Sequence, residues 1–180
     1  MSIEPPVNEE PDLPSISEPF YVRPMSINEL DHVVQIYLKS FKGMVNPESI
    51  RRWFICQLNS YPRNIGFVAV VGDAVRGYIV WCERGGFRQR AVVELEQIAV
   101  HPDFRRKGLA SYLTIQSFIY LKKLLKDERR SVRLVVIYTS AEHGARSLYE
   151  KTLGAKREAV LKDYFRGDED VLFARFNDTD

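Results

Sequence analysis

Apolar positions along the chain follow two periods. Continuous apolar runs fall at NIGFVAVV, AVRGYIVWC, AVVELEQIAV and VRLVVIYTS, within residues 64–140. Their length, their β-branched content and the glycines that bound them predict buried strands. Gly72-Asp73 joins the first two as a hairpin, and Gly85-Gly86 turns into the third. Shorter strands are expected at 20–25 and in a closing hairpin, KREAVLKDYF and DEDVLFARF, around Arg166-Gly167.

Helical spacing governs the segments between. SINELDHVVQIYLKSF opens with a Ser26–Glu29 capping box and ends before Gly43. PESIRRWFICQLNSY places Pro47 in its first turn. A long helix is expected from about Leu109 to Asp127, and EHGARSLYEKTL is closed by Gly154 as a left-handed cap. The order β-αα-βββ-α-β-α-ββ describes an α/β domain. It predicts a mixed, mainly antiparallel sheet of about seven strands flanked by about four helices, with a parallel pair where the long helix crosses over.

Composition divides the chain in two. Residues 1–19 hold five acids, five prolines and no Lys or Arg, so they read as a disordered tail. All 26 cations and 19 of the 24 acids lie in residues 20–180, a formal charge of +7 that favours an anionic ligand. No apolar stretch reaches the roughly 18 residues of a membrane span, and the N-terminus does not read as a signal peptide. Cys56 and Cys82 sit in apolar runs and are expected as buried thiols of a reducing, cytoplasmic compartment. His32, His101 and His143 do not cluster with them at ligand spacing, so no metal is expected. No basic stripe interleaved with aromatics suggests nucleic acid.

The chemistry concentrates in HPDFRRKGLASYL, residues 101–113. A strand ends at Val100, three cations follow, and Gly108 leads into the long helix. Unpaired N–H groups and the dipole of a helix start favour anions, and glycine admits a ligand close to the backbone. A pyrophosphate fits such a turn. Neither GxxxxGK[ST] nor GxGxxG is present.

ELEQIAVHPDFRRKGLASYL resembles the acetyl-CoA signature of the GNAT superfamily of N-acyltransferases, [Q/R]-x-x-G-x-[G/A], with Arg105, Gly108 and Ala110 at its defined positions. ARSLYEKTLGA is similar to that family's A-x-x-L-Y-x-x-x-G-F helix through Ala145, Leu148, Tyr149 and Gly154, with one extra residue before the glycine. The resemblance implies an acetyl-CoA-dependent N-acetyltransferase. Main-chain groups of Ile98, Ala99 and Val100 would bind the pantetheine arm. The turn of Arg105, Arg106, Lys107, Gly108, Leu109, Ala110 and Ser111 would cradle the pyrophosphate. Glu142 stands where many members have an asparagine that contacts cofactor or substrate.

The resemblance also implies that an amine attacks the thioester directly, and it makes Tyr149 the acid for the departing thiolate. Strand alternation expects Glu94, Glu96, Ile98 and Val100 on one face. Burial and mutual repulsion would raise a carboxyl there toward the range of a base. By alignment Glu94 is the base, and Glu96 a second base or a substrate contact. KDYFRGDED resembles the N-Y-Y-x-x-G-E-D of ribosomal-protein-alanine and related protein N-terminal acetyltransferases. It implies a peptide entrance lined by Tyr164 and Phe165, with Phe41 and Met44 on the opposite wall. The expected acceptor is a protein or peptide N-terminal amine. The alternatives are a small-molecule amine and a non-catalytic acyl-CoA-binding module, and the expected oligomeric state is a monomer or homodimer.

Overall fold

The structure, a computed structural model, describes residues 13–41, 43, 46–140, 144–165 and 167–177. Its strands are β1 (Phe20–Pro24), β2 (Asn64–Val71), β3 (Ala74–Arg84), β4 (Arg90–Val100), β5 (Ser131–Ser140), β6 (Lys156–Leu161) and β7 (Glu169–Arg175). Its α-helices are α1 (Leu30–Ser40), α2 (Pro47–Asn59), α3 (Leu109–Asp127) and α4 (Arg146–Leu153). The element order matches the pattern read from the sequence.

Local chemistry sets the boundaries. Ser26 and Glu29 form the expected capping box, which heads a single 3-10 turn before α1. Glu29 is also ion-paired with Arg23 of β1. Asn46 caps α2 by accepting from the Glu48 N–H at 2.8 Å, with Pro47 at the first position. Gly154 closes α4 in the left-handed region, φ 63°, and the Ala155 N–H bonds to the Tyr149 carbonyl at 3.3 Å.

One sheet in the order β1-β2-β3-β4-β5-β7-β6 carries the fold. Every pairing is antiparallel except β4 with β5, which α3 connects. Alternation along β2 and β3 feeds two cores. Phe67, Ala69, Ile79 and Trp81 face α3 and α4, together with Leu113, Phe118, Tyr149 and Leu153. Val68, Val70, Tyr78 and Val80 face α1 and α2, together with Leu30, Val33, Ile50 and Phe54.

Two irregularities of the sheet make room for a site. The β4–β5 pairing runs from Arg90↔Ser131 to Leu95↔Ile137 and stops there. Beyond that point β4 continues to Val100 and β5 to Ser140 without pairing to each other, so the sheet opens into a gap. Beside the gap, the β3–β4 register passes from Trp81↔Leu95 to Val80↔Gln97. Glu96 is therefore the extra residue of a β-bulge.

Three expectations differ from the structure. The bulge shifts the phase of β4, so Glu94 and Glu96 face α2 whereas Ile98 and Val100 pack in the opposite core with Val93 and Leu95. Cys56 is exposed on the outer side of α2, while Cys82 is buried, and both are free thiols. Residues 13–19, read as part of a disordered tail, lie against the fold. Pro14 is buried, the Ser15 N–H donates to the Lys107 carbonyl at 2.9 Å, and the Gly72 N–H donates to the Pro19 carbonyl at 2.8 Å. Residues 1–12 lie outside the described residues.

Candidate active site

The end of β4 leads through a 3-10 turn, Pro102–Phe104, into the cationic turn and α3. His101 caps that 3-10 turn, its Nδ1 accepting from the Asp103 N–H at 3.4 Å. Arg106 and Gly108 both take left-handed backbone, φ 59° and 84°. Left-handed residues in such a turn can bring backbone N–H groups to bear on an anion, as in a nest. The N–H groups of Leu109, Ala110 and Ser111 precede the first intrahelical bond of α3, from the Tyr112 N–H to the Gly108 carbonyl at 3.1 Å.

The three cations of the turn serve different ends. Arg105 points back into the fold. Its Nε donates to the Val100 carbonyl at 3.0 Å, and its Nη2 donates to Ser40 Oγ at 2.9 Å. It anchors the turn to the end of β4 and to the end of α1. Arg106 and Lys107 are exposed, and the Lys107 ammonium lies 5.2 Å from the Phe104 ring centroid. Arg106 and Lys107 place their charge at the rim beside the helix dipole, and Arg105, also exposed, spends its donors on the fold.

Past Leu95 the main-chain groups of β4, including those of Ile98 and Ala99, have no β5 partner. An extended chain can pair with such an edge as an added strand. The Val100 carbonyl is occupied by Arg105.

The two carboxylates of β4 differ in kind. Glu94 Oε2 accepts from Arg84 Nε at 2.6 Å in an ion pair. Glu96 Oε1 accepts from Gln57 Nε2 of α2 at 2.9 Å. Its Oε2 is buried and takes no hydrogen bond from any described residue. Burial raises the Glu96 carboxyl above its ordinary range. The Gln57 hydrogen bond and the charges of Arg84 and Arg63 oppose that rise, and the charge of Glu94 adds to it.

Tyr149 lies across the sheet. It projects from α4 into the α3-side core with 5% of its surface exposed. Burial pushes its phenol up to about 12, so it keeps its proton throughout the neutral range.

An aromatic group flanks the gap on the β5 side. Tyr138 of β5 stacks on Tyr164 with centroids 5.7 Å apart, and Tyr164 meets Phe165 edge-on at 4.5 Å. Tyr164 and Phe165 are exposed on the β6–β7 turn. Burial, then the charge of Glu94, raises the Tyr138 phenol. On the α1 side Phe41 is 36% exposed and packs on Tyr37 at 4.9 Å. Met44 and Glu142 lie outside the described residues.

Tyr138 and Gln57 escaped the reading of the sequence. Gln57 carried a signal, since Ile50, Phe54 and Gln57 fall at i, i+4 and i+7, the core-facing stripe of α2. A polar amide on that stripe needs a partner.

The sequence pattern of the acetyltransferase (GNAT) family matches residues 30–155. The chain belongs to that family. Its members move an acetyl group from acetyl-CoA to an amine, and the matched span contains the gap, the cationic turn and Tyr149. An uncharacterized N-acetyltransferase of Methanocaldococcus jannaschii is 24% identical to this chain over 164 residues. The match covers 82% of this chain and 65% of that relative's length. Among solved structures, the ribosomal-protein-S18-alanine N-acetyltransferase of Escherichia coli superposes with a TM-score of 0.67 at 18% identity, covering 87% of this chain and 94% of that one. A spermidine N-acetyltransferase mutant of Vibrio cholerae gives 0.67 at 15%, covering 86% and 92%. At these identities the likeness is one of fold.

Among the described residues no cluster of His, Cys, Asp and Glu could hold a metal ion, and no helix is long and apolar enough to cross a membrane.

Proposed function

We propose that the protein transfers the acetyl group of acetyl-CoA to a primary amine in the gap between β4 and β5, with Glu96 as the base and Tyr149 as the acid. The observation that carries this reading is the place of Glu96. It is the first residue beyond the last β4–β5 pair and the bulged residue of β4, and it holds a buried carboxylate oxygen with no partner among the described residues. Glu94 was expected in this role. A proton taken by Glu94 would have to displace its ion pair with Arg84. Glu94 instead holds Arg84 beside the site.

The edge of β4 is suited to the pantetheine arm, and the turn from Arg106 to Ser111 to the pyrophosphate. The amine nitrogen attacks the thioester carbonyl carbon, a C–N bond forms and the C–S bond breaks. The amine enters as the neutral base, and the proton that its nitrogen sheds on acylation passes to Glu96 and from there to solvent. The departing thiolate takes the Tyr149 proton, which the phenolate recovers from solvent. General acid–base help of this kind is worth about 100-fold or more for each group.

The acceptor we infer is the N-terminal amine of a protein or peptide. Tyr138, Tyr164 and Phe165 form an aromatic wall beside Glu94, and exposed Phe41 supplies an apolar surface on the α1 side. Aromatic surface of this extent suits a chain of residues better than a lone small amine. The structural relatives carry names that cite both kinds of acceptor, a ribosomal-protein alanine and spermidine.

Thiol release from acetyl-CoA, measured against short peptides with free N-termini and against spermidine and free amino acids, tests the reading. Peptides should give the higher kcat/KM. Preference for spermidine or amino acids would assign the small-amine function. No turnover with intact CoA binding would assign a binding module.

A further inference from the structure

Glu96 does not sit alone on its face of the sheet. Gln57 of α2 donates from Nε2 to Glu96 Oε1 at 2.9 Å. Asn64, the first residue of β2, donates from Nδ2 to Gln57 Oε1 and to Ser60 Oγ, the latter at 2.7 Å. Ser60, the C-cap of α2, donates in turn to the Gln57 carbonyl at 2.7 Å. These residues tie the end of α2 and the start of β2 to the bulge of β4.

The donors fix the direction of the chain. Both N–H groups of the Asn64 amide are engaged, one on Gln57 and one on Ser60. Gln57 Oε1 is therefore an acceptor already in use, and the amide can turn only its NH₂ end toward Glu96. A carboxylate that receives an N–H is stabilised in its charged form. The other oxygen, Oε2, is left open.

We propose that Asn64 and Gln57 are positioning residues for the base: Asn64 locks the Gln57 amide so that it donates to Glu96 Oε1, which holds Glu96 ionised and directs its free Oε2 at the proton to be taken. The proposal rests on the reading of Glu96 as the base. Without the pair, a buried Glu96 would keep its proton to higher pH and would lack a fixed orientation. The other charged groups that act on Glu96 are Arg84 of β3, Glu94 of β4 and Arg63 just before β2, and the nearby Cys82 thiol of β3, itself raised mainly by burial, feels the Glu96 charge. None of them hydrogen-bonds to the Gln57 amide.

Two nearly isosteric changes separate a lock from simple packing. Gln57→Met removes the donor and keeps the volume. Asn64→Leu keeps the volume and removes the donor to Gln57 without adding a charge that would itself act on Glu96. The Gln57 amide is then free to turn its oxygen toward Glu96, which favours the protonated carboxyl. Carboxyl-labelled glutamate followed by ¹³C NMR against pH reads the Glu96 midpoint directly in the free protein, with Glu96→Gln assigning the resonance. Each change should raise the midpoint by about one pH unit, the size of one hydrogen bond to a charged group. The acidic limb of the kcat/KM profile, with the best acceptor of the peptide and amine panel, should move with it.

A Glu96 midpoint unchanged in folded Asn64→Leu, or in Gln57→Met should the first not fold, overturns the proposal. A midpoint that rises while the kinetic limb stays in place keeps the lock and removes Glu96 from the role of base.

Discussion

Glu96 and Tyr149 lie on opposite faces of the sheet. Glu96 stands on the α2 side at the β4 bulge, and Tyr149 in the core beneath α3 and α4. A base and an acid so separated cannot neutralise one another directly. The proposed mechanism gives each one end of the same displacement, Glu96 the entering nitrogen and Tyr149 the leaving sulfur.

Tyr149→Phe keeps the ring and its packing and removes only the hydroxyl. Turnover should fall about 100-fold with CoA affinity little changed, and kcat should fall together with kcat/KM. Steady-state kinetics beside CoA calorimetry checks this. Full turnover would leave Tyr149 a packing residue.

Glu96 also carries a consequence for stability. Its carboxyl is raised in the fold by burial, so between the ordinary glutamate value of about 4.3 and the raised one the folded state binds more protons than the unfolded. In that window stability falls as pH rises. Glu96→Gln removes the ionisation, so its Tm should gain on that of the native protein as pH climbs from about 4 to 7. Thermal melts across that range check the sign, and a gap that narrows with pH would contradict it.

Gly108 should tolerate no side chain. Its φ of 84° disfavours a Cβ, and that Cβ would lie 3.2 Å from the Pro14 Cα. Gly108→Ala should cost about 1–2 kcal/mol of stability through the backbone alone. It should also weaken CoA binding by at least about tenfold, since the turn must re-form. Calorimetry on the folded variant would expose an unchanged affinity.

Residues 13–19 of the N-terminal segment dock on the fold. Ile16 packs against the main core and Ser15 bonds to Lys107. Removal of residues 1–12 should leave the melt unchanged. Removal of residues 1–19 should lower Tm by about 3 °C or more, the shift that roughly 1 kcal/mol makes in a chain of this size. Equal melts for the two truncations would show that the contacts of 13–19 carry no stability.

Patterns of two and 3.6 sufficed to read the element order, because long valine-rich runs and capped helices each obey one period. The cationic turn was legible for the same local reason, since helix start, glycine and charge are neighbours in the chain. The bulge was not. Alternation through ELEQIAV assumes that every residue has a partner across β3, and the one without a partner is Glu96. That single slip carried Ile98 and Val100 to the other face and left Glu94 and Glu96 looking equivalent. Arg105 looked like a free cation because its partners, Ser40 and Val100, meet only in the fold. Residues 13–19 looked unfoldable by composition, yet Pro14, which lacks an N–H to satisfy, packs on Gly108.

Comparison of Glu94→Gln with Glu96→Gln in the pH dependence of kcat/KM tests the catalytic assignment most directly. Glu96→Gln should lose turnover by about 100-fold or more, and the acidic limb should vanish from what remains. Glu94→Gln should keep that limb, displaced at most by the freed charge of Arg84. A native acidic limb in Glu96→Gln, or its disappearance in Glu94→Gln alone, would contradict Glu96 as the base and return that role to Glu94.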